Sequence, residues 1–288
     1  MSESKPDANQ SPASPSTGGL QFVLRFHRND RLLHGMLMAS FLTLALTGMP
    51  LLFPEAPWAA RLAGSFGGYR VTGVLHRIAA VTLMLVFLTH LVRLGHRLFV
   101  KKDYGMLWGP RSLVPQPVDL IQLLQHFRWF VGMGPRPRFD RYSYWEKFDY
   151  WAVFWGMAII GSSGLLLWFP AFFAHFVPGW IFNIALVIHG EEALMAVVFI
   201  FTVHFFNGHL RPDKFPMDLV IFTGRVSVEE LKHERPAEYA RLVAENDLDK
   251  VLTQSPSGGL INFGRLVGTI AVFIGLSVAA MAIYALLR

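Results

Sequence analysis

Five stretches of this sequence stay apolar for about 20 residues, the length a helix needs to cross a hydrocarbon core of ~30 Å. They fall at about 32–52, 71–99, 148–169, 180–206 and 266–287. Lipid offers no water to a backbone N–H or C=O, so segments of this kind must satisfy their polar groups internally, as helices do. The expected fold is therefore all-α and integral to the membrane. Composition agrees: 53% of residues are hydrophobic and only 16% charged, against roughly 25% charged in soluble domains. The chain has no cysteine. That excludes disulfides, thiolate-held iron–sulfur clusters, haem attached through C-x-x-C-H and cysteine nucleophiles. Any metal or redox cofactor must be held by His, Met or carboxylates.

Residues 1–19 are rich in Ser, Pro and Gly without an apolar run, and read as a disordered tail rather than a cleaved signal peptide. A four-helix domain is expected over 20–210, with a polar connection at 100–147. A polar segment follows at 211–263, and 264–288 forms a fifth, C-terminal membrane helix. Within the polar segment, Ser227 to Leu248 reads as an amphipathic helix lying against the membrane domain. Ser227 and Glu230 stand at capping-box spacing, and Pro236 interrupts the helix. With the N-terminus in the cytoplasm and the C-terminus outside, all of the 26 lysines and arginines except Arg61, Arg70, Arg77 and Arg288 fall on the cytoplasmic side. The net charge of +6 is thus a topology signal suited to anionic lipid, not a nucleic-acid footprint. A bacterial cytoplasmic (inner) membrane protein with several spans is expected.

Ionisable residues inside spans are costly and usually functional. Of 11 histidines, His34, His76, His90, His189 and His204 lie in apolar helical sequence. In the second span His76 and His90 are 14 residues apart, which is ~21 Å of rise and ~40° short of four turns. In the fourth span His189 and His204 are 15 apart, ~22 Å along and ~60° past four turns. These two spans run parallel, so His76 lies level with His189, and His90 with His204. Two stacked haems, each taking one imidazole on either ring face, require such an arrangement. His34, near the cytoplasmic start of the first span, is on the same side as His90 and His204, so either His34 or His90 can complete the inner site. Zinc fits poorly, because ligand pairs ~20 Å apart cannot share an ion.

The Arg31-x-x-His34 element, Thr47-Gly48 closing the same helix and the paired histidines of the fourth span resemble the membrane cytochrome b subunits of formate dehydrogenase (its gamma subunit) and nickel–iron hydrogenase. The resemblance runs from about Arg25 to Leu210. It implies a four-helix di-haem core in which His34 pairs with His204 and His76 with His189. Two features depart from that family: its fourth-span histidines are usually one residue closer, and it has no need of a histidine where His90 stands. The His76/His90 and His189/His204 pattern is instead similar to the cytochrome b of quinol:cytochrome c oxidoreductases, so the fourth ligand stays open between His34 and His90.

Arg31, Arg77, Arg93 and Arg97 flank these histidines and suit haem propionates through charge-assisted bonds. Glu191 and Glu192 follow His189 inside an apolar span, and are candidates for proton transfer at a quinol site. His209, Arg211 and Lys214 are candidates for a cytoplasmic quinone pocket. The function these features imply is a di-haem b-type electron-transfer subunit, working between the quinone pool and a partner redox subunit of a respiratory complex. The partner class expected is an exported multi-haem cytochrome c or an iron–sulfur protein. The competing readings are a stand-alone transmembrane haem b reductase, a cofactor-free anchor for a soluble dehydrogenase, and a proton-relay transporter.

Overall fold

The computed structural model describes residues 20–287. The expected tail at 1–19 and the terminal Arg288 lie outside the described residues. In chain order the principal helices are α1 (Arg28–Leu52), α2 (Tyr69–Val100), α3 (Pro117–Phe130), α4 (Tyr144–Trp168), α5 (Trp180–Leu210), α6 (Val228–Glu234), α7 (Pro236–Ala244) and α8 (Gly258–Leu286). Of these α1, α2, α4, α5 and α8 are long and apolar enough to cross a membrane. The five spans expected from hydropathy are all present, and the chain is an integral membrane protein.

The helices outrun the apolar stretches because caps, not hydropathy, set their ends. At α4 the Ser143 and Glu146 side chains bond each other's backbone N–H in a reciprocal capping box, starting the helix ahead of its apolar run. At α8 the Ser257 hydroxyl accepts from the N–H of Leu260 at 3.3 Å. α8 packs against α1 and α5 through small residues. A Cβ on Gly275 would stand 2.5 Å from the Phe201 ring and 2.6 Å from the Phe205 ring, so α8 approaches α5 as closely as glycine allows. Val278, Ala279 and Ala282 continue that seam against Leu194, Val197 and Phe201.

One feature was not legible in the sequence. Strands β1 (Phe22–Leu24), β2 (Arg225–Ser227) and β3 (Leu252–Thr253) form a sheet in the order β2-β1-β3, both pairings antiparallel. Val23 stands opposite Val226 and Leu252. Strands of two or three residues show no alternation that a pattern can register. The sheet ties the segment ahead of α1 to the polar region after α5, so residues from both sides of 210 share one small core of Val23, Val220, Val226, Val228, Leu231 and Leu242. Helices α6 and α7 cover it. The N–H of Glu230 bonds the Ser227 hydroxyl at 3.1 Å and Pro236 opens α7, as the sequence predicts for this stretch.

Ion pairs fasten this cap to the start of α4. Arg25 meets Glu238 at 2.8 Å and Arg141 meets it at 3.0 Å; Arg235 meets Glu146 at 2.7 Å. Burial alone would push the Glu238 carboxyl up, but the Arg25 and Arg141 guanidiniums more than offset it and hold Glu238 below the usual carboxylate range. A depressed folded-state value contributes stability that is present above the ordinary carboxylate range and is lost as pH falls through the depressed one. Glu238→Gln leaves buried Arg25 with only its longer contact to Glu146, at 3.7 Å, and is expected to cost about 2 kcal/mol. Faster hydrogen exchange at the amides of Val23 and Val226 at neutral pH, with the difference from the unmodified protein closing in acid, is the measurement that checks it.

Candidate functional site

The charged cap and the starts of α1, α4 and α8 mark one side of the bundle, called here the basic side; the starts of α2 and α5 mark the far side. Toward the far side, the rings of His76 on α2 and His189 on α5 face each other, their centroids 6.3 Å apart with an interplanar angle of 76°. Each ring is held by its Nδ1. His76 Nδ1 lies 3.1 Å from the Thr47 hydroxyl oxygen. That hydroxyl already donates to the Thr43 carbonyl at 2.6 Å, so the ring donates to it. His189 Nδ1 lies 3.0 Å from the Ile160 carbonyl, which can only accept. Both rings therefore carry their proton on Nδ1, and both Nε2 atoms keep a free lone pair.

Backbone brings these acceptors close. A Cβ on Gly48 would stand 3.2 Å from His76 Cε1, and one on Gly164 only 2.9 Å from His189 Cε1. Ser163, whose hydroxyl lies 3.3 Å from His189 Nδ1, and Gly164 form the wall on which the His189 ring rests. Two unprotonated Nε2 atoms on rings 6.3 Å apart fit a single metal ion bound at about 2 Å by each nitrogen. Donor chemistry and spacing both suit a haem iron with two axial imidazoles.

Toward the basic side, His204 donates from Nδ1 to the Asp149 carboxylate at 2.9 Å, which again frees Nε2. His34 on α1 lies within electrostatic range of both His204 and His209. His90 is turned elsewhere: its Nε2 is 3.0 Å from the Tyr150 hydroxyl, and its ring packs edge-on against Tyr150 and Phe154 of α4. Asp149 and Tyr150 were missed from sequence because a lone acid and a lone phenol near a span end give no pattern.

The 15-residue spacing on α5 has a local cause. Ile200–His204 forms a π-helical turn, which takes one residue more per turn than α-helix. The extra residue is absorbed there, so His204 returns to within about 40° of the His189 face instead of overshooting it.

The flanking charges separate into two groups. Arg93 is bound to Asp30 at 2.7 Å and Arg97 to Asp103 at 2.6 Å. Arg31 gives one nitrogen to the Phe222 carbonyl at 2.7 Å while its buried Nε has no partner, and Arg77 lies over the Trp168 ring at 5.7 Å. Glu191 and Glu192 do not share a site. Glu191 is exposed on the lipid-facing surface beside Leu194, Met195 and Leu286; Glu192 is half-buried and accepts from Trp155 Nε1 at 3.3 Å. His209 has a buried Nδ1 without a partner, whereas Lys214 is paired with Asp218 and Glu230. Asp213, His233 and Glu234 bring three possible ligand atoms within 4.8 Å, but Arg211 already holds Glu234 at 2.8 Å.

No family model matches the chain. Among curated proteins it is 22% identical over 181 residues to the cytochrome b556(Fdn) subunit of the nitrate-inducible formate dehydrogenase of Escherichia coli K12, covering 62% of this chain and 73% of the relative. The same subunit of Shigella flexneri matches to the same extent. The cytochrome b556(fdo) subunit of formate dehydrogenase from Escherichia coli K12 is 22% identical over 185 residues, covering 64% of this chain and 77% of that one. These relatives support haem b binding and electron transfer in the membrane. Gly164→Ala, which drives a methyl into the His189 ring, is expected to lower haem bound per chain in the purified protein. Gly259→Ala at the start of α8, with nothing within 4 Å, is expected to leave it unchanged; a pyridine haemochrome assay compares them.

Proposed function

We propose that this chain, which resembles the membrane cytochrome b subunits of formate dehydrogenase, is the membrane electron-transfer subunit of a respiratory oxidoreductase and holds two haems b. The observation that carries this reading is the His76–His189 pair, rings 6.3 Å apart with both Nδ1 protons directed at fixed acceptors. His34 and His204 are the second pair, favoured over His90 because His90 Nε2 is engaged by Tyr150. Bound haem b supplies a one-electron carrier whose potential follows its axial ligands, their hydrogen bonds and the surrounding charge.

The chain's own residues do the rest. Thr47 and the Ile160 carbonyl fix tautomer and ring orientation at the far-side pair, and Asp149 does so at His204. Arg31, with an unpartnered buried Nε, and Arg77 are the guanidiniums left to take propionates; Arg93 and Arg97 are bound to carboxylates. The free Nδ1 of His209 supports a quinone carbonyl site at the basic side. Glu192 is the better placed of the two glutamates to pass a proton, being half-buried and hydrogen-bonded. On the positive-inside rule the basic side is cytoplasmic, with the N-terminus in and the C-terminus out, in a bacterial inner membrane. A partner redox subunit, an exported multi-haem cytochrome c or an iron–sulfur protein, then docks on the far side, nearest His76 and His189.

The charge beside the two pairs differs. Neutral acceptors hold His76 and His189, whereas a carboxylate holds His204. An anionic partner raises ligand basicity and favours the oxidised iron, so Asp149 lowers one midpoint potential and not the other. Alanine at His76 or His189 is expected to remove one haem and leave the other; alanine at His34 or His204 removes the second, and His90→Ala leaves both. Loss of haem from His90→Ala with retention in His34→Ala would move the fourth ligand to His90. In a redox titration Asp149→Asn raises one midpoint alone, and Asp149→Glu stays near the unmodified protein. Equal movement of both midpoints, or of neither, contradicts the assignment.

A further inference from the structure

Helix α3 presents two faces. Its inner face is bound to the start of α4: Lys147 Nζ donates to both carboxylate oxygens of Asp119 at 2.9 Å, and His126 Nδ1 lies 3.0 Å from the Tyr144 hydroxyl. Its outer face carries Leu120, Ile121, Leu124, Phe127 and, at the C-cap, Val131, each more than half exposed. At about 100° per residue these five fall within one third of the helix circumference. An apolar stripe of this kind is out of place in water.

We propose that α3 is an in-plane helix whose outer face is seated in the bilayer, at the headgroup–acyl boundary of the leaflet on the basic side. Its angle and depth support this. Asp119 and His126 stand seven positions apart on α3, whereas their partners Lys147 and Tyr144 stand only three apart on α4, so α3 is inclined to the span instead of running alongside it. The segment leading into α3 touches α4 deeper still, Trp151 Nε1 donating to the Leu113 carbonyl at 3.0 Å. Trp151 lies about two turns from the start of α4 and three residues into its apolar run, the depth of the interface. At the same end of the bundle, Val92, Phe99 and Val100 at the end of α2 are likewise exposed.

Charge selects the lipid. Lys101, Lys102, Arg111 and Arg128 are exposed around this surface. The two carboxylates between 100 and 135 are both neutralised, Asp103 by Arg97 and Asp119 by Lys147. Exposed Tyr104 and Trp108, in the segment leading to α3, are aromatic residues of the kind that favour the interface. An apolar stripe with exposed aromatic residues and cations held in no ion pair among the described residues fits anionic headgroups above acyl chains.

The cysteine-free chain permits a clean test. A nitroxide is placed at Leu124→Cys, at Phe127→Cys and, as the water-facing reference, at Asp249→Cys in the otherwise unmodified full-length protein. Each is reconstituted in phosphatidylcholine/phosphatidylglycerol vesicles, and collision with oxygen is compared with collision with a neutral nickel chelate. The proposal expects an oxygen-to-nickel ratio several-fold higher at 124 and 127 than at 249, falling when phosphatidylglycerol is replaced by phosphatidylcholine. Nickel-favoured collision at 124 and 127 means a water-facing helix and overturns it. Occlusion from both reagents means a protein cover, and spin–spin broadening means a second copy of this chain; either also overturns it. A ratio indifferent to phosphatidylglycerol overturns the anionic selectivity.

Discussion

A neutral imidazole inside a bilayer carries one N–H that must find an acceptor, because no water is there to take it. Much of the bundle is arranged around that requirement. Thr47 on α1 serves His76, the Ile160 carbonyl on α4 serves His189, and Asp149 on α4 serves His204. Each acceptor comes from a helix other than the one bearing the histidine. Meeting the requirement therefore joins α1 to α2 and α4 to α5, while fixing which nitrogen stays free. Gly48 and Gly164 are small because the rings they back leave no room for a Cβ without movement.

The same demand accounts for the irregular turns. Ile200–His204 on α5 is π-helical, and so is Met157–Gly161 on α4, just ahead of Ser163 and Gly164, which back His189. π-Turns inside α-helices are uncommon and concentrate at functional sites. Here one of them restores the facing of two histidines that the residue count alone would turn apart. On the basic side, the sheet and its buried ion pairs clamp the first strand to the segment that follows α5. They thereby fix the ends of α1, α4 and α5, next to His34 and His204.

Much of this was legible in the sequence because hydropathy over some twenty residues and the placement of five histidines are strong, one-dimensional signals. The spans, the parallel course of α2 and α5, and the level at which His76 meets His189 all follow from rise per residue. The rest depends on three-dimensional neighbours. Asp149 is an ordinary carboxylate until α4 brings it to His204, and His90 looks equivalent to His34 until Tyr150 is found 3.0 Å from it. The sheet escaped notice because two-residue and three-residue strands carry no period. Glu191 and Glu192, adjacent in sequence, diverge because neighbours on a helix point ~100° apart, one to lipid and the other to Trp155.

The central claim is that paired imidazoles from four histidines hold two haems in one chain. Haem-to-chain stoichiometry, together with low-temperature electron paramagnetic resonance of the oxidised, purified protein, tests it most directly. The account predicts two non-covalent haems b per chain, both low-spin with signals of two axial imidazoles. A colourless folded protein, a single haem, or a high-spin signal from an iron with one imidazole would contradict it.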